Sequence, residues 1–178
     1  MKKLGLILLL LSYCPVFSYA QQFPELNGKT LEDQVVVLPE DAKGKFTLIG
    51  LSYSKKAEEY LRSWFDPVFD KFILKRGMFD DMYDVNIFFV PMFTGAKKVS
   101  FDKAFKEVKQ KTDKRLYSRV LFYKGEMKTY KESLGMTEKE MPYFFLLDPD
   151  GNIVASYKGR FKERYFEEIE EILDRANE

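Results

Sequence analysis

Residues 46–53 (FTLIGLSY) form a nearly continuous apolar run, the pattern of a central strand buried on both faces. The period then changes. Ala57, Tyr60, Leu61, Trp64, Phe65, Val68, Phe69 and Phe72 recur at helical spacing and make one apolar stripe. Ser54 stands where its hydroxyl can accept an orphan N–H of the first turn. Pro67 falls inside the stripe and cannot donate to the carbonyl of Ser63, so the pattern predicts one helix with a kink there. Residues 85–92 (VNIFFVPM) read as a second central strand with Pro91 near its end. Phe101, Ala104, Phe105 and Val108 mark a second amphipathic helix. Residues 116–123 fit neither period decisively. Residues 126–134 read as a short helix stopped by Gly135.

Earlier in the chain, residues 22–31 are a short lead-in, and residues 35–38 (VVVL) are a strand closed by Pro39. Near the end, two β-rich runs at 143–147 and 153–157 flank Asp148-Pro149-Asp150-Gly151, which is turn chemistry, so they predict a hairpin. Phe161, Tyr165, Phe166, Ile169, Ile172 and Leu173 give the apolar face of a terminal helix. The order β, β, α, β, α, β, β, α implies an α/β domain with a mixed sheet flanked by helices.

The first residues belong to a different class. Lys2 and Lys3 precede an apolar stretch at 4–11 that is too short to span a bilayer, and Ser18-Tyr19-Ala20 supplies small residues before Gln21. Residues 1–20 are therefore expected to be a signal peptide cleaved after Ala20, leaving residues 21–178 as one exported, periplasmic domain. The alternative is a lipoprotein acylated at Cys14, but Tyr13 and Pro15 fit the required motif poorly. Cleavage removes two lysines, so the net charge of +1 falls to −1. That balance excludes the basic excess of a nucleic-acid binder.

Composition narrows the chemistry further. Cys14 is the one cysteine, and the chain has no histidine. Residues 21–178 therefore cannot form a thiolate or a disulfide, and they lack the commonest general base near neutral pH. No thiol oxidoreductase or peroxidase activity, and no cofactor, is expected. Asp148, Asp150 and Asn152 lack the spacing of a calcium loop, and Asp80, Asp81 and Asp84 have no His or Cys nearby, so no metal site is expected either.

A buried strand leading into a proline-bearing helix, a second central strand, then a Pro-led hairpin and a terminal helix resemble the thioredoxin fold. Residues 141–159 (MPYFFLLDPDGNIVASYKG) are similar to the matching segment of its exported TlpA-like and peroxiredoxin-like branches. That resemblance implies a cis peptide bond at Met141–Pro142 facing the redox site. Phe23-Pro24, Gly28-Lys29-Thr30-Leu31, Gly44-Lys45, Ser63-Trp64, Pro67, Leu134-Gly135-Met136, Tyr143 and Leu146-Leu147-Asp148 also resemble the mitochondrial ATP synthase assembly-factor family (the ATPase-ten proteins). This resemblance implies a redox-inactive binding or chaperone-like assembly protein, with a membrane complex as a possible client.

The place of a redox motif between the first central strand and its helix corresponds to Lys56 and Glu59 here. Two readings follow. In the first, Tyr53, Ser54, Lys55, Lys56, Met141, Pro142 and Tyr143 form a groove for a protein or peptide partner in the cell envelope, on a monomer. In the second, the helix start holds a small anionic ligand, or Lys55 or Lys56 works with Glu58 in a non-thiol enzyme.

Overall fold

The computed structural model describes residues 21–77 and 82–177. Residues 1–20, the segment expected to be a signal peptide and the one that holds Cys14, lie outside the described residues, as do Asp80 and Asp81.

The strands are β1 (Leu26–Thr30), β2 (Val35–Leu38), β3 (Phe46–Ser52), β4 (Val85–Thr94), β5 (Leu121–Gly125), β6 (Tyr143–Leu147) and β7 (Ile153–Lys158). The α-helices are α1 (Lys55–Leu61), α2 (Phe65–Val68), α3 (Phe101–Lys111), α4 (Lys128–Leu134) and α5 (Glu163–Asn177). The strands make one sheet in the order β2-β1-β5-β4-β3-β6-β7. β3, β4 and β5 run parallel, while β1 joins β5 and β6 joins β3 in antiparallel fashion. The mixed α/β sheet expected from the apolar pattern is present, with β3 buried along nearly its whole length.

Alternation along the strands divides the core into two faces. Ile49, Leu51, Val90, Met92, Phe145 and Leu147 point to the face that α4 covers through Tyr130. Leu48, Ile87, Phe89, Phe144 and Leu146 point to the other, where Trp64, Val68 and Phe72 pack with Ile169 and Leu173 of α5. On this second face α3 extends the layer by laying Phe101 and Phe105 on Phe93 and Phe122.

Three local expectations need correction, and one undecided segment is resolved. The stripe from Ala57 to Phe72 is helical, but it is not one kinked α-helix. It tightens to a 3-10 turn at Arg62–Trp64, resumes as α2, then widens to a π-helix at Phe69–Leu74. Pro67 offers no N–H to the carbonyl of Ser63, and the hydrogen-bond pattern changes around it. The lead-in contains β1, held between β2 and β5 by backbone pairing despite its strand-poor residues Asn27, Gly28 and Lys29. The undecided segment resolves into a 3-10 turn at Lys114–Arg119 followed by β5. The short helix starts at Lys128 rather than at 126, and it ends as expected at Gly135, whose φ of 63° is the left-handed cap conformation.

The hairpin forms as read. The Asp148 carboxylate accepts from the backbone N–H of Asp150 and Asn152, and Gly151 N–H donates to the Asp148 carbonyl. These bonds commit Asp148 to the turn. At the opposite margin of the sheet, the outward N–H of Val37 donates to the Asp41 carboxylate at 2.7 Å, which blunts the β2 edge.

Candidate functional site

The carboxyl ends of β3, β4 and β5 and the amino end of β6 meet at one edge of the sheet, because β6 runs against β3 with Leu51 opposite Tyr143. In an open α/β sheet this edge is where ligands bind. Three connections emerge there: Tyr53-Ser54 into α1, residues 95–100 after β4, and residues 126–127 into α4. A fourth, residues 135–142, arrives at β6. Between them lies a cleft of about 770 Å³. Its lining includes the buried Tyr53 and Met127, with Lys97, Lys128, Lys131 and Lys139 around them.

The sequence-predicted residues lie at this edge, but they do not share one surface. Ser54 caps α1 by accepting from Ala57 N–H at 3.0 Å. Lys55 and Lys56 are exposed in the first turn. Lys56 pairs with Glu140 at 2.5 Å, and that hydrogen bond raises its ammonium above the ordinary lysine value. A lysine acting as a base needs the opposite shift, so Lys56 is unsuited to that role. Tyr53 and Tyr143 are buried rather than displayed. The Tyr53 hydroxyl donates to the Met136 carbonyl at 3.0 Å, and Glu138 N–H donates to the Tyr143 hydroxyl at 2.7 Å. Burial, reinforced by Tyr143 and Glu138, pushes the Tyr53 phenol above its usual range. Both rings belong to the core with Met136, and Met141 packs half-buried against it. Of the three, Tyr53 lines the cleft, while Met141 and Tyr143 do not, so they make no common gripping surface.

The Met141–Pro142 bond is a second correction. Among the described residues the cis peptide bond is Leu38–Pro39, and Met141–Pro142 is trans. A turn closed by Met141 N–H on the Glu138 carbonyl leads directly into β6. The buried Pro142 then offers its carbonyl to Gly159 N–H at 3.0 Å. The ordinary trans geometry meets these bonds without a reversal.

What the sequence reading missed is the lysine set. Its members sit on separate segments and reach one cleft only through the fold. The carboxylates near them are largely engaged: Glu58 with Lys97 at 3.7 Å, Glu126 with Lys98, Glu138 with Lys158 at 2.5 Å, and Glu140 with Lys56. None of the ion pairs among the described residues includes Lys128, Lys131 or Lys139. Glu132 is the remaining acidic residue of the lining. The signal available in sequence was the lysine spacing of residues 128–139, on a short helix and the loop after it. Among the described residues no group of His, Cys, Asp and Glu side chains is arranged to hold a metal, and no helix is long and apolar enough to cross a membrane.

The sheet order and the helix after the first central strand define a thioredoxin-like protein. The chain belongs to the ATP10 protein family, whose model matches residues 17–161. Solved structures agree on the fold. The exposed lipoprotein thioredoxin Etrx1 of Streptococcus pneumoniae TIGR4 is similar at 17% identity, with a TM-score of 0.54 over 85% of this chain and 99% of that one. Yeast Sco1 with copper bound is similar at 16% identity, with a TM-score of 0.52 over 88% of this chain and 93% of that one. BsSco, described as a member of the Sco family of cytochrome c oxidase assembly proteins, is similar at 11% identity, with a TM-score of 0.51 over 79% and 84% of the two chains. No curated protein matches the chain.

Proposed function

We propose that this chain is an exported, redox-inactive assembly protein, chaperone-like in action, that binds a protein partner at the edge of the sheet where the cleft opens. The observation that carries the reading is a formed cleft at the ligand-binding edge of a thioredoxin-like fold whose residues 21–178 hold no cysteine or histidine. Such a site can bind, but it cannot exchange thiols. Membership of the ATP10 family supports assembly as the task, and the signal-like residues 1–20 support action outside the cytoplasm.

The second reading, a non-thiol enzyme built on Lys55 or Lys56, is disfavoured by the exposure of both lysines and by the Glu140 ion pair on Lys56. A small-anion site at Ser54 is disfavoured because the hydroxyl is committed to the Ala57 cap.

The test is photo-crosslinking in living cells, with a crosslinking residue placed at Lys128 or Lys139 and, as a comparison, at Lys43 on the opposite end of the sheet. The reading expects one protein captured at both cleft positions and absent at Lys43. Equal capture at all three positions, or none at the cleft, overturns it. N-terminal sequencing of the purified envelope form is expected to begin at Gln21; a chain retained in the cytoplasm with Met1 intact overturns the export.

A further inference from the structure

The cleft has a chemical character that points to a particular partner. Its volume of about 770 Å³ is ample for one or two side chains of a bound segment. Its floor is apolar, made by the Tyr53 ring and the buried Met127. Its mouth is cationic, with four lysines against two glutamates. Of these, Lys97 is engaged by Glu58, and Glu126 is engaged by Lys98. That leaves Lys128, Lys131 and Lys139 as unmatched cations around an apolar floor, with Glu132 alone opposing them.

The kind of cation matters. The lining contains no arginine, so no planar fork is available for bidentate capture of a phosphate. The lysines come from separate segments: the stretch after β4, helix α4, and the loop before β6. Spread point charges suit several carboxylates distributed along an extended chain better than one compact anion.

Resting on the reading of the cleft as a partner site, we propose that it binds an acidic peptide segment of a partner protein, with an apolar side chain seated on Tyr53 and Met127 and flanking Asp or Glu side chains facing Lys128, Lys131 and Lys139. The segment supplies the carboxylates that these three ammonium groups lack within the chain. Binding is steered by long-range attraction, so it weakens as salt rises.

Fluorescence anisotropy tests this with a short labelled peptide of alternating glutamate and leucine and residues 21–178 as the titrant. The expected result is saturable binding at low salt that falls as salt is added. The K128E/K131E variant and, independently, K139E should each weaken it at least about tenfold. K114E, at the far end of the sheet, should leave affinity unchanged, and all variants should keep the wild-type melting temperature. Absent binding, equal binding of the lysine–leucine peptide, or undiminished binding by both cleft variants overturns the proposal. So does preferential binding to phosphatidylglycerol vesicles, which would make the cleft a lipid-headgroup site, or displacement by inorganic phosphate, which would make it a small-anion site. If crosslinking at Lys128 and Lys139 still captures one protein while the peptide fails, the partner reading stands and only the acidic chemistry falls.

Discussion

The Trp64 indole lies flat on the Phe144 ring, with centroids 3.8 Å apart and planes 18° from parallel. Tyr165 stacks on the same indole at 5.5 Å, and Trp64 Nε1–H donates to the Gly159 carbonyl at 3.0 Å. The stack ties the helical segment after β3 to β6, β7 and α5, directly behind the edge that carries the cleft. It also fixes the residue beneath Phe144. A Cβ at Gly50 would sit 2.5 Å from that ring, and the ring cannot retreat because Trp64 fills the space behind it.

Gly50→Ala is therefore expected to destabilise the protein by about 1–3 kcal/mol, the usual range for overpacking a closed core. Trp64 is the only tryptophan in the chain, so its fluorescence follows urea unfolding without added probes. An unchanged midpoint would show that the stack yields more easily than the geometry indicates.

Two serines separated by one residue should respond in opposite ways. Ser54→Ala removes the cap on Ala57 N–H and should cost about 1 kcal/mol. Ser52 is 1% exposed, and its hydroxyl has no hydrogen-bond partner among the described residues. Ser52→Ala relieves a buried polar group, so the protein should be as stable as wild type or more so. Thermal melts of the two variants decide the matter, and a large loss for Ser52→Ala would reveal a partner for that hydroxyl.

Acid should loosen the turn between β1 and β2. Lys109 and Lys29 hold the Asp33 carboxyl down at about 2, against an ordinary value of 3.8. A depressed folded value contributes stability that is complete above the unfolded value and lost as pH falls through the folded one. The loss should therefore fall between about pH 4 and pH 2, and it should be modest and weakened by salt because the pair is exposed. Asp33 has a φ of 68°, which asparagine tolerates. Asp33→Asn should thus fold normally and show a shallower decline in melting temperature over that window; parallel declines would remove the ion pairs from the account.

Residues 21–178 should reduce neither insulin nor peroxide with any thiol donor, since no sulfhydryl is present to carry the electrons. Turnover that persists through repeated purification would require a different chemistry at the cleft.

The strongly periodic parts of the fold were legible because burial wrote them into the sequence. β3 is apolar at almost every position, and the hairpin carries its turn residues in order. β1 was not legible, because Asn27, Gly28 and Lys29 follow no strand pattern; Gly28 is there because a Cβ would meet Leu121 at 2.4 Å. β5 was hidden by the 3-10 turn that runs straight into it. The site was half legible. Local rules found the Ser54 cap, but Lys97, Lys128 and Lys139 share a cleft only after β3, β4 and β5 align. Tyr53 and Tyr143 were read as a surface because sequence does not say which way a residue at the end of a strand will turn.

Those two tyrosines have a consequence for how tightly anything can bind. Their hydroxyls hold the loop before β6 at Met136 and Glu138, from beneath and at two points, and Lys139 is the next residue along. One wall of the cleft is thus set before a ligand arrives. Ordering on binding then falls on lysine side chains, at about 0.5–1.5 kcal/mol each, and little of it on the backbone. Tyr143 is not part of the lining, so Tyr143→Phe should lower affinity in the peptide titration through lost preorganisation, with no contact to the ligand changed.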